Sequence, residues 1–353
     1  MNLPLPPGSV IGILGGGQLG RMLAMAAAQL GYRCHVYSPE RESGAGEVAG
    51  EFTCAPWTDE DAIQRFADAC DVVTWEFENV PVSPLARLGD KLVPHSRALE
   101  TAQDRVKEKQ FVEGLGGRTA PYAPVDSPDD FARAVDRIGA PGILKTRRDG
   151  YDGKGQWRIA STRDAEAIRL PQAATVYEGL VQFDAEFSVI LVRGRDGAVR
   201  FWDSAENTHE GGILVRSSLP PRDIVASQVA EARELAKQVA DALGYVGVLT
   251  CEFFATAKGP VFNEMAPRVH NSGHWTIEGA VTSQFEGHIR AVAGLPLGET
   301  ATTASRVIMD NIIGEDANRA HEMLADPDAH LHLYGKARAA EGRKMGHLTW
   351  VHR

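Results

Sequence analysis

The sequence predicts an α/β fold at its N-terminal end, followed by units of the α+β kind. Residues 1–104 alternate apolar strand-like runs with helical runs, which is typical of a parallel sheet with helices on both faces. Later strands are joined by turn signals and by hairpin spacing. The chain has 353 residues, and at about 150 residues per domain this length fits two to three domains. We therefore expect three units, near residues 1–105, 106–295 and 296–353.

Apolar runs and the glycines that interrupt them define the elements of the first unit. The turn Gly15–Gly20 leads from the first strand into the first helix, and Gly31 ends that helix. The predicted order is strand Ser9–Leu14, helix Arg21–Leu30, strand Arg33–Tyr37, helix Asp59–Cys70, strand Asp71–Glu76 and a last short strand Lys91–Pro94.

The rest of the chain is predicted to mix helices with hairpins. Residues 185–216 are expected to form strands, with turn signals at Gly194–Gly197. The other predicted helices are Ala98–Leu115, Pro128–Ile138, Thr162–Leu170, Pro221–Leu243, Gln284–Val292 and Ala317–Leu324. The other predicted strands are Ala120–Val125, Gly142–Lys145, Gln156–Ile159, Ala174–Gly179, Val246–Ala255, Pro260–Glu264, Ser305–Ile313 and His330–Tyr334.

Composition argues against several classes of protein. Apolar residues make up 43% and charged residues 24%, which is ordinary for a globular protein. The net charge of −10 argues against a general binder of nucleic acid or of anionic membranes. Cys34, Cys54, Cys70 and Cys251 include no C-x-x-C pair, which suggests neither zinc nor a redox dithiol and favours the cytoplasm. We expect no signal peptide and no membrane-spanning segment.

The first motif is a glycine turn, Gly15-x-Gly17-x-x-Gly20, between a strand and a helix. Glycines allow close backbone approach to an anion, and a helix N-terminus offers unpaired N–H groups. The spacing matches the dinucleotide fingerprint, with Glu40 about 20 residues further on. However, Glu40 follows Ser38-Pro39 instead of ending a strand, so a phosphate site of another kind is favoured over NAD or a plain tight turn.

The second motif is the loop Lys145–Trp157, KTRRDGYDGKGQW. Three glycines make its backbone mobile, and cations crowd it within an acidic protein. A flexible cationic loop between two strands suits a lid that closes on phosphates. The alternative is an exposed hairpin.

The third motif is a pair of carboxylates, Glu252 and Glu264. If residues 256–260 form the loop of a hairpin, the two side chains lie opposite each other with Cβ atoms about 5 Å apart. Oxygen ligands without His or Cys favour Mg²⁺ shared with substrate phosphates. Asn263 points the other way in an ideal strand, so it needs a bend that the following Met-Ala-Pro would supply. The alternative is a solvated acidic edge.

Two polar segments follow. Arg268–Trp275, RVHNSGHW, has the density of donors that suggests anion or substrate contacts, whereas zinc at His270 and His274 lacks a further ligand. The segment Lys336–His347 carries four cations before its His. It is either a solvated charge run or a clamp for phosphate opposite the glycine turn.

Taken together in this order, the motifs resemble those of ATP-grasp enzymes, and within them the N5-carboxyaminoimidazole ribonucleotide synthetases. The strings GILGGGQLGRM, TWEFENV, RRDGYDGKGQW, NEMAPRVHNSGHWT and GRKMGHL carry the resemblance from about Val10 to about Thr349. The resemblance implies an ATP-grasp fold with an N-terminal Rossmann-like domain, a lid subdomain near 120–182 and a small C-terminal domain. Asp149 departs from the pattern, because the family more often has a small residue there.

The resemblance also implies a reaction. ATP, bicarbonate and 5-aminoimidazole ribonucleotide give N5-carboxyaminoimidazole ribonucleotide, ADP and phosphate through carboxyphosphate, as a step of purine synthesis. Arg268 would stabilise the carboxyphosphate, with Lys154 as a second catalytic residue, and Glu252 and Glu264 would hold Mg²⁺. The residues that would hold ATP are Arg105, Lys145, Gly150, Tyr151, Asp152, Gly153, Lys154, Gly155, Gln156, Glu178, Gly179, Leu180, Val181, Glu186, His209, Asn263 and Glu264.

The ribonucleotide is expected between the first and last units. The residues implied for it are Gln18, Leu19, Glu76, Asn271, Lys336, Arg343 and Lys344. A homodimer is implied as well, and biotin is not. A formate-using glycinamide ribonucleotide transformylase and a non-catalytic nucleotide-binding regulator remain as alternatives, and ATP hydrolysis stimulated by aminoimidazole ribonucleotide separates them.

Overall fold

The computed structural model of the chain describes residues 4–150 and 155–352. The strands are β1 (Val10–Leu14), β2 (Arg33–Ser38), β3 (Glu51–Cys54), β4 (Val72–Trp75), β5 (Tyr122–Val125), β6 (Gly142–Thr146), β7 (Gln156–Ile159), β8 (Thr175–Gly179), β9 (Ala185–Arg193), β10 (Val199–Phe201), β11 (Glu206–Glu210), β12 (Ile213–Leu219), β13 (Gly247–Thr256), β14 (Gly259–Ala266), β15 (Arg306–Ile313), β16 (Ala329–Leu333) and β17 (Lys344–His352). The helices are α1 (Gln18–Gln29), α2 (Glu60–Asp68), α3 (Val82–Leu85), α4 (Arg97–Ala102), α5 (Arg105–Gly114), α6 (Pro128–Ile138), α7 (Thr162–Ala167), α8 (Asp223–Ala226), α9 (Val229–Ala242), α10 (Thr276–Gly279), α11 (Gln284–Ala293) and α12 (Ala320–Met323).

A parallel sheet forms the N-terminal part, in the order β3-β2-β1-β4. Helices cover both faces, as predicted. Ile11 and Ile13 of β1 belong to the core that contains Leu23 of α1. Gly12 lies between them and faces α2, where an added Cβ would stand 2.9 Å from Phe66. Both faces of β1 are therefore buried, which is why the strand is apolar throughout.

A second, antiparallel sheet forms the lid region, in the order β5-β8-β6-β7. Helices α6 and α7 pack beside it, and its own core contains Phe131, Val135, Leu144 and Tyr177. Ser127 caps α6 by accepting a hydrogen bond from the Asp130 N–H, and Pro128 stands at the first turn. The helix therefore begins where the sequence predicts it.

The central sheet runs in the order β14-β13-β9-β11-β12-β15-β17-β16, and β10 pairs with the last residues of β9. Pairing of β12 with β15 carries this sheet across the boundary predicted near residue 296. The division into three units stays a prediction. Helix α11 packs on β13 and on α1, and thereby joins the N-terminal sheet to the central one.

Several predicted elements differ from those observed. The predicted helix Ala98–Leu115 is two helices, because Asp104 caps α5 by accepting hydrogen bonds from the Val106 and Lys107 N–H groups. The predicted helix Pro221–Leu243 is likewise split into α8 and α9. Residues Lys91–Pro94 form no strand, and the Leu92 backbone makes an isolated bridge to Val73. The predicted helix Ala317–Leu324 begins as a 3-10 turn, Gly314–Arg319, and continues as α12.

Candidate functional site

A cleft of about 680 Å³ lies where the N-terminal sheet, the base of the lid, the central sheet and the C-terminal segment meet. This volume is in the range of small-molecule sites. All seven residues predicted for the ribonucleotide line it, together with five of those predicted for ATP, metal or catalysis. The twelve are Gln18, Leu19, Glu76, Asn271, Lys336, Arg343, Lys344, Arg105, Gly150, Glu252, Glu264 and Arg268.

The glycine turn wraps around the carboxylate of Glu76 at one end of the cleft. Glu76 follows β4, and its Oε1 and Oε2 accept hydrogen bonds from the N–H groups of Gly17 (2.9 Å) and Gly20 (3.2 Å). Gly15 has φ +113°, and an added Cβ there would stand 2.5 Å from Oε1 of Glu76. Two N–H groups expected to face a ligand anion therefore already serve a carboxylate of the protein.

Burial raises the pKa of Glu76, while these hydrogen bonds and the nearby Arg268 and Lys336 act in the opposite direction. The carboxyl is almost fully buried, with 7% of its residue surface exposed. The glycine turn, Arg268 and Lys336 of the C-terminal segment surround this side chain, so Glu76 lies at the centre of the predicted ribonucleotide site.

Glu252 and Glu264 face each other across β13 and β14, as predicted, but the loop is shorter than the predicted 256–260, because β13 ends at Thr256 and β14 begins at Gly259. The register shifts beside this pair, because Phe253 is opposite Phe262 and Asn263 is left as an extra residue on β14. Such a β-bulge bends a strand and re-aims a side chain. The bulge places Glu264, and not Asn263, opposite Glu252, and Asn263 does not line the cleft.

The two carboxylates have opposite electrostatic environments. Burial and the charge of Glu264 raise the pKa of Glu252 to about 7. Burial also opposes ionisation of Glu264, but Arg105 outweighs it, with Nη1 at 2.8 Å from Oε2, and lowers the pKa of Glu264. His270 Nε2 lies 3.3 Å from Glu252 Oε1. The pair thus offers one anchored carboxylate and one whose charge a cation would stabilise.

A buried cluster of charges lies behind this pair. Glu178 accepts a hydrogen bond from Lys145 Nζ at 2.9 Å and is 3.3 Å from Lys109 Nζ. Burial opposes its charge, but Lys145 and Lys109 outweigh that effect and lower the pKa of Glu178 to about 2. The Glu178 side chain is therefore held by two lysines. The N–H groups of Gly179 and Leu180, which follow it, donate to the carbonyls of Pro121 and Pro141.

The base of the lid loop is tied to the start of α5. The Arg147 guanidinium donates to both oxygens of Asp104, at 2.9 and 3.2 Å, and the Arg105 side chain donates to the Gly150 carbonyl at 3.2 Å. Asp149, the unusual residue of the motif, has φ +61° and is the single non-glycine residue with positive φ in the described part of the chain. Asp tolerates this conformation better than most residues. Tyr151, Asp152, Gly153 and Lys154 lie outside the described residues.

Other described residues predicted for ATP do not line the cleft. Gly155 and Gln156 are at the start of β7, where the Gly155 carbonyl accepts from the Thr146 N–H at 2.8 Å. Glu186 on β9 is 3.1 Å from His209 Nδ1 on β11. Burial disfavours the charge of His209, but Glu186 and Glu252 outweigh it and raise the pKa of His209.

Arg268 and Asn271 follow β14 at the floor of the cleft. Arg268 Nη2 is 2.5 Å from Glu78 Oε2, and its Nη1 donates to the Val269 carbonyl at 3.0 Å. The amide of Asn271 is buried, and neither its Oδ1 nor its Nδ2 has a hydrogen-bond partner among the described residues. Buried amides are normally bonded, so this side chain is available to a ligand.

The C-terminal cations close the other side of the cleft. Lys336 Nζ donates to the Lys344 carbonyl at 2.5 Å, and Arg343 Nη1 donates to the Arg338 carbonyl at 3.0 Å. Lys344 begins β17, a strand that the sequence analysis missed. The segment is therefore tied to the start of β17, while Arg338 and Arg343 are exposed, and its role as a clamp for phosphate stays a prediction.

Comparisons with known proteins decide the family. Residues 9–103 match the ribonucleotide synthetase preATP-grasp domain, 110–285 the ATP-grasp domain and 307–353 the phosphoribosylaminoimidazole carboxylase C-terminal domain. The chain is 48% identical to an N5-carboxyaminoimidazole ribonucleotide synthase of Brucella melitensis, over 98% of this chain and 97% of that protein. The chain belongs to the N5-carboxyaminoimidazole ribonucleotide synthase family. It is an ATP-dependent ligase that forms N5-carboxyaminoimidazole ribonucleotide from aminoimidazole ribonucleotide in purine biosynthesis.

Solved structures of this synthase family share the fold. The Thermus thermophilus synthetase superposes with a TM-score of 0.89 at 48% identity, covering 97% of this chain and 93% of that one. The Aspergillus clavatus synthase, solved with ADP and 5-aminoimidazole ribonucleotide, gives 0.89 at 31% identity, covering 98% and 94%. The predicted ATP-grasp fold and the predicted ATP-dependent formation of N5-carboxyaminoimidazole ribonucleotide are confirmed, and the dinucleotide and transformylase interpretations are not supported.

Two buried residues of this synthase were missed by the sequence analysis. Lys109 belongs to the Glu178 cluster, and Glu108 lines the cleft with its Oε1 accepting from the Met265 N–H at 2.6 Å. Burial, and next the charge of Glu264, raise the pKa of Glu108 to about 8. Both residues are on α5, where Arg105 was the one residue predicted from the sequence to belong to the site. A run of buried charges on one helix face is the signal that would have found them.

Within residues 4–150 and 155–352, no helix combines the length and the apolar character needed to cross a bilayer.

Proposed function

We propose that the cleft carboxylates aminoimidazole ribonucleotide with bicarbonate, through carboxyphosphate, and with Mg²⁺ at Glu252 and Glu264. One observation carries this proposal: a single cleft brings together the paired carboxylates, Arg268 and the C-terminal cations. The paired carboxylates would serve phosphoryl transfer, Arg268 would stabilise a carboxyphosphate, and the C-terminal cations would bind the phosphate of the ribonucleotide.

The first step activates bicarbonate. A bicarbonate oxygen attacks the γ-phosphorus of ATP, the bond from that phosphorus to the β-phosphate oxygen breaks, and ADP leaves. Bound Mg²⁺ would neutralise charge on the phosphates. The donor set fits such a hard cation, because it consists of carboxylate oxygens, one of them anchored by Arg105. The other ligands would come from the nucleotide.

The nucleotide is expected on the lid side of the cleft. Arg105 lines the cleft there, and the buried Lys145 and Lys109, which do not line it, are paired with Glu178. Glu178 balances part of their charge, which keeps the lysines in place before ATP arrives. Lys154, which lies outside the described residues, is proposed to contact the phosphates.

The second step joins carbon to nitrogen. The amine of the aminoimidazole attacks the carboxyphosphate carbon, the bond from that carbon to the phosphate oxygen breaks, and phosphate and a proton are released. Arg268 would stabilise the charge on the carboxyphosphate. The unsatisfied amide of Asn271, next along the same loop, would orient the ribonucleotide.

The ribonucleotide would lie between the glycine turn and the C-terminal segment. The N–H groups of Gln18 and Leu19 stand at the start of α1, and Glu76 is positioned to accept a hydrogen bond from a ligand N–H or O–H. Lys336, Arg343 and Lys344 would supply the positive charge that neutral N–H donors lack.

We further propose a cytoplasmic homodimer. Cysteine usage supports the compartment and the family resemblance supports the dimer. Sedimentation of the purified chain would give one species of twice the chain mass, and a species of one chain mass contradicts the dimer.

The test is a steady-state assay of ADP and carboxylated product. We expect ADP formation to require bicarbonate, to rise on addition of aminoimidazole ribonucleotide and to stop with a chelator of Mg²⁺. Formate with glycinamide ribonucleotide serves as the negative control. Product formation that persists without bicarbonate, or with metal removed, contradicts the proposal.

A further inference from the structure

The segment Trp75–Glu78 contacts two parts of the cleft at once. Glu76 is bound by the glycine turn, on the ribonucleotide side. Trp75 and Glu78, on either side of it, contact Pro267 and Arg268 in the loop after β14. One short segment at the end of β4 thus touches both the predicted ribonucleotide site and the predicted carboxyphosphate site.

Trp75 makes the backbone contact. Its side chain is fully buried, and its Nε1–H donates to the Pro267 carbonyl at 2.9 Å. The two residues are 192 positions apart in the chain, so this bond joins the N-terminal sheet to the central sheet. Pro267 directly precedes Arg268, so the bond fixes the backbone from which the Arg268 side chain starts.

Glu78 makes the side-chain contact. Its carboxylate pairs with the Arg268 guanidinium at 2.5 Å, and both side chains are mostly buried. The Glu78 carbonyl in turn accepts from Gln103 Nε2 at 2.8 Å, just before α5. Arg268 is therefore held at its backbone by Trp75 and at its guanidinium by Glu78, which is itself anchored.

We propose that Trp75 and Glu78 are positioning residues that hold Arg268 in fixed relation to Glu76, and so couple ATP consumption to carboxylation. The inference rests on the proposed function. Carboxyphosphate that is not attacked by the amine is lost to water, which returns bicarbonate and phosphate. Reacting groups must be held near attack distance, and an error of about 1 Å can cost about a hundredfold in rate. A loosened Arg268 would therefore waste ATP before it abolished ATP hydrolysis.

The test compares Trp75→Phe with Trp202→Phe. Trp202 is a matched control, because it is also fully buried and its Nε1–H donates to a backbone carbonyl, that of Thr282, at 2.7 Å. Trp202 does not line the cleft. Each variant keeps an aromatic ring and loses one indole hydrogen bond, so a general loss of stability is common to both.

The readout is the number of ADP molecules formed per molecule of carboxylated product. We expect a ratio near one for the wild type and for Trp202→Phe, and a rise of about threefold or more for Trp75→Phe, with the KM for ATP unchanged. Glu78→Gln, which keeps the shape and removes the charge, should raise the ratio in the same direction. This second variant carries the test if Trp75→Phe does not fold.

A ratio that stays near one in the folded variants overturns the positioning role, whatever their rates. A wild-type enzyme that forms no product from bicarbonate and ribonucleotide overturns the proposed function, and the inference with it. The two failures are distinct, because the first is measured against an active wild type.

Discussion

Glu252 and Glu264 differ in proton affinity although they face each other across one hairpin. The difference comes from Arg105, which contacts Glu264 and leaves Glu252 to burial and to the repulsion of its partner. A divalent cation between them would supply the charge that Glu252 lacks. The ion pair with Arg105, together with a bound cation, would therefore allow two acids in an otherwise apolar hairpin.

Glu264→Gln tests the metal pair. The variant keeps the shape of the side chain and loses the charge that would hold Mg²⁺ against ATP, so turnover should fall about 10²-fold or more. Stability should change little, since Arg105 loses a partner while Glu252 loses a repelling neighbour. Kinetics and melting curves measure both. Glu231→Gln, in an exposed pair with Arg118, is the control, and wild-type turnover in Glu264→Gln contradicts the assignment.

Glu108→Gln tests the buried carboxyl beside this pair. Folding raises the pKa of Glu108 to about 8. Between the ordinary pKa of a glutamate and pH 8, the folded protein therefore keeps this carboxyl protonated, whereas the unfolded chain has lost the proton. This contribution to stability is complete at low pH and is lost as the pH rises towards 8. Glutamine does not titrate and can still accept from the Met265 N–H.

Relative to the wild type, Glu108→Gln should therefore be more stable at pH 8 than at pH 5.5, by on the order of 1 kcal/mol or more. Chemical denaturation of the metal-free proteins at the two pH values measures the difference. The exposed Glu234→Gln should show no such pH dependence. A difference that is the same at both pH values shows that Glu108 titrates normally.

At the scale of elements, a strand end and a helix start build the ribonucleotide side of the cleft. Strand β4 delivers Glu76, and the turn before α1 delivers the N–H groups that bind it. Both lie at the carboxyl end of a parallel sheet, where crevices of this fold class bind ligands. The two elements are held in one arrangement by the carboxylate between them.

Gly17→Ala tests this arrangement. An added Cβ would stand 2.9 Å from Oε1 of Glu76, so the carboxylate or the turn must shift. We expect a higher KM for aminoimidazole ribonucleotide and a nearly unchanged KM for ATP, because ATP is expected on the lid side. Gly114→Ala, where a Cβ meets nothing within 4 Å, is the control. If Gly17→Ala instead raises the KM for ATP alone, the glycine turn binds ATP and not the ribonucleotide, which contradicts the proposal.

At the scale of the whole molecule, the sheet decides where the C-terminal cations lie. The pairing of β12 with β15 and of β15 with β17 places Lys344 at the end of a strand in the central sheet. Helix α11 joins the same sheet to α1. The last residues of the chain and its first glycine turn therefore meet in one cleft.

Arg343→Ala tests the C-terminal side of the cleft. A charge-assisted hydrogen bond to the ribonucleotide phosphate is worth about 1.5–3 kcal/mol, so kcat/KM for the ribonucleotide should fall about tenfold to hundredfold. ATP hydrolysis that depends on bicarbonate alone should survive. Arg319→Ala, an exposed cation paired with Glu322, is the control. Unchanged ribonucleotide kinetics in Arg343→Ala would place the phosphate elsewhere.

Local patterns in the sequence predicted most of the fold and much of the cleft. The alternation of strands and helices indicated the parallel sheet, and hairpin spacing predicted that Glu252 faces Glu264. The two residues face each other through the bulge at Asn263, because the observed turn at 257–258 alone would place Glu252 opposite Asn263. The motifs predicted twelve of the residues that line the cleft, and the roles of these twelve stay predictions. Strand β17 was missed, since the cations of Lys336–His347 were interpreted as a solvated charge run or a phosphate clamp and not as the approach to a strand.

Tertiary structure decided what each of these residues contacts. The bulge at Asn263, the capture of Glu76 by the glycine turn 59 residues earlier and the bond from Trp75 to Pro267 depend on elements that are distant in the chain. The pKa shifts of Glu108 and Glu252 depend on burial and on charges brought near by folding. A sequence pattern records the local preferences of the chain, whereas burial and long-range contacts exist only after the chain has packed.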